Sequence, residues 1–139
     1  MRGGPDSPEL ELARALAPDF SVYLPDRRGC GSSGATGANY TMATEVADLS
    51  TLLAASGARF IFGVSSGALI CLRAALLNPA IQAAALFEPP LSVKGSVPNE
   101  WVARVKEHLA RGETSAALVT AMLDAQMGPR LFFSAAPPI

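Results

Sequence analysis

The chain has 139 residues, of which 50% are hydrophobic and 17% are charged, and its 11 basic and 12 acidic side chains leave a net charge of −1. This composition excludes a disordered polypeptide, and the near-neutral balance offers no basic surface for nucleic acid or anionic lipid. We therefore expect a packed soluble protein that binds neither nucleic acid nor a membrane, and its length leaves room for a core of its own.

The two cysteines, Cys30 and Cys71, are too few for a disulfide framework and favour a reducing compartment. The amino-terminal residues lack the apolar stretch of a signal peptide. Residues 60–87 are strongly apolar, but polar residues, glycine and proline interrupt them, so that no run of about 20 apolar residues remains. These features predict a buried strand–helix–strand segment and a cytoplasmic location.

The first half of the chain predicts a helix, a strand, a loop and a second helix. Residues 7–9, SPE, combine a capping hydroxyl, a proline and an acid, which is typical of a helix start, and Pro18 ends this helix. The β-branched and aromatic run Phe20–Leu24 predicts a strand, and the turn-forming residues after it predict a loop. The second helix spans residues 41–57, between a threonine cap and a closing glycine.

The second half begins with the strand–helix–strand segment and ends in helices. The predicted elements are a strand at Arg59–Phe62, a helix at Gly67–Leu77, a strand at Ala83–Phe87 and helices at Trp101–Ala110 and Glu113–Gln126. Alternating helices and strands indicate an α/β architecture with a parallel sheet. The helix at 67–77 is apolar almost all round, which predicts burial on most of its sides. We divide the chain into an α/β core, 1–95, and a helical region, 96–139.

Residues 63–67, GVSSG, lie at the junction of the apolar strand and the apolar helix. A G-x-S-x-G sequence in that position is typical of a nucleophile elbow, a tight turn that exposes a reactive serine. Ser65 would be the nucleophile, the small residues at 63 and 67 would let backbone pass close by, and the N–H of Ser66 would face the oxyanion of a tetrahedral intermediate. The alternative is a tight turn without chemistry.

Several further motifs accompany the elbow in a fixed order. With the elbow itself included, the set is RGGP at 2–5, DRRGCGSSG at 26–34, GVSSGA at 63–68 and LFEPP at 86–90. With these motifs, residues 3 to about 95 resemble the middle of an α/β-hydrolase with a helical cap, and residues 96–139 would be the truncated start of that cap. The resemblance implies hydrolysis of an ester or amide-type bond of a small molecule through Ser65, without a cofactor or a metal. It also implies that the N–H of Gly4 is a second oxyanion donor beside Ser66.

The chain also departs from that family's pattern. Arg2 stands where the family usually has histidine, and the chain lacks counterparts of the first three strands and of the carboxy-terminal region with the catalytic histidine. We therefore expect a fragment, inactive alone and marginally stable, because the family's third strand would lie between Phe20–Leu24 and Phe60–Phe62. The competing hypothesis is a non-catalytic remnant or a binding module of the fold.

Two residues are candidate partners of Ser65. Glu88 follows the predicted strand Ala83–Phe87, and some family members carry their catalytic acid at that point; the alternative is a structural carboxylate at the Pro89-Pro90 turn. His108 is the chain's one histidine. It forms a helical stripe with Trp101 and Val105, so that a packing role on the helix is favoured over a role as catalytic base.

The loop after the first predicted strand contains two further candidates. Asp26 and Arg28 match the family's loop motif, where they would tie the loop down through charge pairing. Residues Gly29–Gly34, GCGSSG, also match the dinucleotide-binding pattern G-x-G-x-x-G. That pattern must follow a strand directly and open a helix, and here neither condition is met, so dinucleotide binding is a minor alternative.

Overall fold

The computed structural model describes residues 8–95 and 99–124. The chain divides into two compact units, Met1–Pro90 and Leu91–Ile139. In the first unit the elements are α1 (Pro8–Leu16), α2 (Met42–Ser56), β1 (Phe60–Val64), α3 (Ser66–Leu77) and β2 (Ala83–Phe87). The second unit contains α4 (Trp101–Ala110) and α5 (Thr114–Asp124). Among the described residues, no helix is both long enough and apolar enough to span a membrane.

The strands β1 and β2 form a parallel sheet, joined by the crossover helix α3. The register pairs Phe60 with Ala83 at one end of the ladder and Val64 with Phe87 at the other. Parallel strands need a long crossover, and the apolar α3 supplies it while covering one face of the sheet. The carboxyl ends of both strands therefore lie at the same edge, where Ser65 and Glu88 follow them.

Helix α2 has the ends that its sequence predicts. At its start the Thr44 hydroxyl accepts a hydrogen bond of 3.3 Å from the N–H of Thr41. At its end Gly57 adopts a left-handed φ of 70° and donates its N–H to the Leu53 carbonyl at 2.9 Å. A left-handed residue after the last helical turn is the conformation that glycine adopts at least cost, which explains why the helix stops there.

The core of the first unit lies between α2, α3 and one face of the sheet. One cluster of buried residues joins Leu53 of α2, Ile61 of β1 and Cys71 of α3. A neighbouring cluster joins Val46 of α2 to residues of α3. Cys71 is a free, buried thiol whose pKa is raised by burial, as expected for a cysteine that packs rather than reacts.

The opposite face of the sheet carries large apolar side chains that are exposed. Residues alternate along β1, so that Ile61 and Gly63 are buried and the other three residues of the strand face the other side. The exposed residues are Phe60, Phe62, Val64 and, on β2, Phe87, which we call the bare face. These four side chains are 42–58% exposed, although side chains of this kind are normally buried.

Two predictions about the first unit are wrong. Phe20–Leu24 pairs with no described strand, and its residues are exposed; the ring of Phe20 meets the ring of Phe60 edge-on, with centroids 6.4 Å apart. A strand is defined by its hydrogen-bonded neighbour, and the described part of the chain provides none. Helix α3 is also less buried than predicted, because Leu76 and Leu77 are 71% and 61% exposed.

The second unit is a helical hairpin. Helices α4 and α5 pack against each other around the buried Ala117. Trp101, Val105 and His108 lie on one stripe of α4 and are all partly buried. Arg104 and Asp124 join the two helices by an ion pair of 2.6 Å.

Candidate active site

The turn between β1 and α3 has the geometry of a nucleophile elbow. Ser65 adopts φ 51° and ψ −118°, a strained conformation for a residue with a side chain. Its N–H donates a 2.9 Å hydrogen bond to the Phe87 carbonyl, so Ser65 stands immediately past the end of the strand ladder. Helix α3 begins at the next residue. Such strain concentrates at functional sites, where the surrounding structure holds it in place.

Gly63 explains how the helix can start so close to the strand. A Cβ at position 63 would lie 2.5 Å from the Gly67 carbonyl oxygen and 2.7 Å from the Ala68 nitrogen. Only glycine permits this approach, as predicted from the sequence. The second glycine differs: a Cβ at Gly67 would meet no described atom within 4 Å. The close approach therefore depends on Gly63, because the backbone of Gly67 occupies the space that a side chain at position 63 would need.

The start of α3 offers hydrogen-bond donors beside Ser65. The Ser65 carbonyl accepts the N–H groups of Ala68 and Leu69 at 3.0 and 3.3 Å, which closes the first helical turn. Within the described part of the chain, the N–H of Ser66 and the hydroxyl of Ser65 have no partner, and both residues are exposed. Free N–H groups at a helix start attract negative charge. This arrangement can present a nucleophile and one oxyanion donor to a carbonyl group.

Glu88 lies at the same edge of the sheet as Ser65. The ladder ends with Val64 opposite Phe87, so Glu88 follows β2 as Ser65 follows β1. Glu88 also has a left-handed φ, 46°, and is exposed. Ser65 and Glu88, which both carry side chains, thus share a positive φ at this edge of the sheet. Whether Glu88 is a catalytic acid stays a prediction.

The loop at 26–34 is tied down by hydrogen bonds of Asp26. Its carboxylate accepts the N–H of Ser32 at 2.9 Å, and its carbonyl accepts the Ser33 hydroxyl at 2.7 Å. Arg28 binds the Asp48 carboxylate of α2 through two nitrogens, at 2.5 and 2.7 Å. This contact raises the pKa of Arg28 and lowers the pKa of Asp48. Both residues therefore hold the loop, Asp26 internally and Arg28 against α2.

Arg27 is the residue that the sequence analysis missed. Its Nε donates to Glu45 at 2.9 Å, its Nη2 also binds Glu45 and lies 3.4 Å from the Tyr40 hydroxyl, and its Nη1 donates to the Ser66 Oγ at 3.1 Å. Glu45 is only 6% exposed, and its carboxylate raises the pKa of Arg27.

A sequence signal for this contact exists in α2. Glu45 has the same helical spacing as Leu49 and Leu53, so the apolar stripe of α2 begins with a carboxylate. A carboxylate turned toward a core needs a cation, and two arginines in the preceding loop could provide it. The sequence alone does not distinguish Arg27 from Arg28 for this role.

His108 lies in the helical hairpin, where its Nδ1 is 2.7 Å from Glu113 Oε2 and 3.1 Å from Arg111 Nη2. Arg111 and then His108 lower the pKa of Glu113 to about 2. This cluster surrounds the turn between α4 and α5, and the contacts agree with a packing role for the histidine.

Some predicted features lie outside the described residues or lack support. Gly4 and Arg2 fall outside the described residues, so the second oxyanion donor stays a prediction. The Gly29–Gly34 loop opens no helix, because α2 begins only at Met42, which speaks against dinucleotide binding. In the ranges 8–95 and 99–124, no three His, Cys, Asp or Glu side chains are grouped to hold a metal ion.

The fold and the elbow can now be compared with known proteins. The family model of the alpha/beta hydrolase family matches residues 3–138. Among solved structures, the chain is similar to an alpha/beta hydrolase from Sphaerobacter thermophilus DSM 20745, with 39% sequence identity and a TM-score of 0.73. A search of curated proteins found no match. The chain belongs to the alpha/beta hydrolase family.

The comparison also measures how much of the fold this chain spans. It covers 91% of this chain and 51% of the solved relative, so the chain spans about half the length of that protein. The predicted family and the α/β fold class, with parallel strands flanked by helices, are confirmed.

Proposed function

We propose that this chain carries the nucleophile of a serine hydrolase, which cleaves an ester or amide-type bond of a small molecule through an acyl-Ser65 intermediate. The observation that supports the proposal most directly is the backbone of Ser65, strained at φ 51° between a parallel strand and a helix start. Membership in the alpha/beta hydrolase family supports the same reaction class.

In the proposed reaction the Ser65 Oγ attacks a carbonyl carbon while a base takes the hydroxyl proton. The electron pair of the carbonyl moves to its oxygen, and the N–H groups of Ser66 and Gly4 stabilise the resulting oxyanion. The tetrahedral intermediate collapses, the leaving group departs with the proton, and water then cleaves the acyl-serine. Glu88 would orient the base. His108 is a weak candidate for that base, because its Nδ1 lies 2.7 Å from Glu113 Oε2 in the helical hairpin.

A fluorophosphonate probe tests this proposal, because it labels only an activated serine. We would label the folded chain with and without added imidazole, which can replace a missing histidine base. Ser65→Ala should abolish labelling, whereas the control Ser115→Ala, an exposed serine of α5, should leave labelling unchanged.

The pattern of labelling separates the possible outcomes. Labelling without imidazole that is lost in His108→Ala would assign the base to His108. Labelling that depends on imidazole would show that the nucleophile is formed and that the chain does not provide the base. No labelling of the folded chain under either condition would overturn the proposal and favour a non-catalytic member of the fold.

We also propose a cytoplasmic location. The support is chemical: Cys30 and Cys71 are both free thiols, and Cys71 is buried. Thiols persist in reducing compartments. Fractionation of cells that produce a tagged chain would test this, and recovery in an oxidising compartment would contradict it.

A further inference from the structure

Arg27 is held in one orientation by a buried partner. Two of its nitrogens bind Glu45, whose carboxylate is almost completely withdrawn from solvent. Both contacts are charge-assisted and go to one oxygen, Glu45 Oε1, so they restrict the guanidinium group. The Tyr40 hydroxyl adds a third contact at 3.4 Å. Although Arg27 is exposed, its contacts with Glu45 and Tyr40 therefore restrict the movement of its guanidinium group.

The remaining nitrogen of this guanidinium group contacts the elbow. Nη1 of Arg27 donates to the hydroxyl of Ser66, the first residue of α3. A serine hydroxyl at a helix start can otherwise turn back and accept N–H groups of the first helical turn. Here the N–H groups of Ala68 and Leu69 in that turn already bind the Ser65 carbonyl, and the N–H of Ser66 itself is the proposed oxyanion donor. Binding to Arg27 fixes the Ser66 side chain, and with it the residue whose N–H is that donor.

The charge of Arg27 has a smaller part in this contact than its geometry. Glu45 lies against the guanidinium and compensates its positive charge, so the pair presents little net charge to the elbow. Recognition of an anionic substrate by Arg27 is thus poorly supported. Arg27 therefore contributes to the elbow through its position and through its hydrogen bond to Ser66.

We propose that Arg27 is a positioning residue of the oxyanion hole, which acts by clamping the Ser66 side chain at the start of α3. This inference rests on the proposed function, because it concerns the rate at which Ser65 reacts. The loop arginine thereby links the buried Glu45 of α2 to the first turn of α3, two elements that the elbow needs in register.

Arg28 provides a matched control. It lies in the same loop, and it also binds a carboxylate of α2 through two nitrogens. Unlike Arg27, it has no contact with the elbow among the described residues. If the arginines only tether the loop, Arg27→Met and Arg28→Met should affect the site equally.

The experiment measures the rate of fluorophosphonate labelling against probe concentration, with imidazole present. Ser66→Ala keeps the N–H of residue 66 and the buried Arg27–Glu45 pair, and it should lower the limiting rate by about tenfold, the value of one hydrogen bond to a charged group. The half-saturating probe concentration should not change. Arg28→Met should stay within about twofold of the parent chain.

Arg27 itself is tested with the buried charge removed at the same time. Arg27→Met alone leaves Glu45 unpaired and can unfold the chain, whereas Arg27→Met with Glu45→Leu replaces the pair by apolar groups. This double variant should show the same fall as Ser66→Ala, and combining it with Ser66→Ala should cause no further fall. Arg27→Lys keeps the positive charge but lacks the planar guanidinium group with its several donors, so it should not restore the labelling rate of the parent chain.

The outcomes separate the inference from the function on which it rests. If the folded parent chain is not labelled at all, the proposed function fails and the inference fails with it. If the parent is labelled and Ser66→Ala reacts equally fast, only the inference is overturned. An equal loss in Arg28→Met would likewise contradict it, because that result would indicate a simple loop tether.

Discussion

The two faces of the small parallel sheet differ more than any other two regions of the first unit. On one face Ile61 is 8% exposed and packs with residues of α2 and α3, and Gly63 lets α3 begin in contact with the strand. On the other face Phe62 is 48% exposed, in a row of apolar side chains that are each about half exposed. The helix that follows Ser65 packs on the covered side.

This difference shows how few elements are needed to shape the strained turn at Ser65. One strand, one crossover helix and a glycine at the contact produce the strained Ser65, and the next strand accepts its N–H. The backbone of Phe87, a residue of the bare face, accepts that N–H, whereas the exposed side chains of this face carry apolar area that water penalises. Both the turn and the packed clusters that stabilise the first unit therefore depend mainly on the covered side.

The largest effect that tests this comparison is expected at Gly63. Gly63→Ala places a methyl group 2.5 Å from the Gly67 carbonyl oxygen, and it should cost about 3 kcal/mol because backbone, rather than a flexible side chain, must move. Urea unfolding of both proteins measures the loss. The matched control is Gly67→Ala, whose methyl group meets no described atom; it should change the stability by less than about 1 kcal/mol. Equal costs at the two glycines would mean that α3 does not start in contact with β1.

The next effect compares the two faces directly. Ile61→Ala should lower the free energy of unfolding by about 2 kcal/mol, since it removes buried methyl groups from the cluster with Leu53 and Cys71. Phe62→Ala removes a larger side chain, yet it should cost less than about 1 kcal/mol because half of that ring is already in water. The comparison would break down if Phe62→Ala proved the more costly change, since the bare face would then be covered.

The bare face should also govern self-association. Apolar side chains on an unpaired sheet are adhesive, so the chain should associate increasingly with concentration in sedimentation velocity experiments. Phe62→Lys places a charge in the middle of that face and should weaken association by about tenfold. Val119→Lys makes the same change at an exposed position of α5 and should have little effect. Association that responds to both variants alike would point to a general loss of apolar surface instead.

The smallest effect concerns the loop that is docked on the covered side. Arg28 holds the pKa of Asp48 below its usual value, so the pair favours the folded state above a pH of about 4. That contribution is lost as the pH falls through the folded pKa. Arg28→Met should raise the Asp48 midpoint in a carboxyl NMR titration, whereas Arg73→Met should not. Phe62→Lys should leave the Asp48 midpoint unchanged, and a shift of that midpoint would show that the two faces are coupled.

Local signals in the sequence account for most of the elements. The ends of α2, the crossover helix, the strand at Ala83–Phe87 and the helical hairpin were predictable, because caps, glycines and apolar periodicity act over a few residues. The strand predicted at Phe20–Leu24 was not formed, although its composition is typical of a strand. Composition describes one chain segment, whereas a strand needs a second one beside it.

The candidate site divides in the same way. Ser65 and the donor at Ser66 follow from a short motif and its place between strand and helix. The contact of Arg27 with Ser66 spans 39 positions of the sequence, and no local pattern indicates it. The choice between Arg27 and Arg28 as the partner of Glu45 depends on how the loop folds over α2.

By itself, the sequence determined the family, the alternation of helices and strands, and the turn that strains Ser65, because each of these depends on residues close together in the chain. Only the tertiary structure decided that one face of the sheet is packed and the other bare, and that a buried Glu45 aims Arg27 at the elbow. Those features depend on which distant segments meet, and such meetings are governed by packing and by pairing of buried charge rather than by local preference.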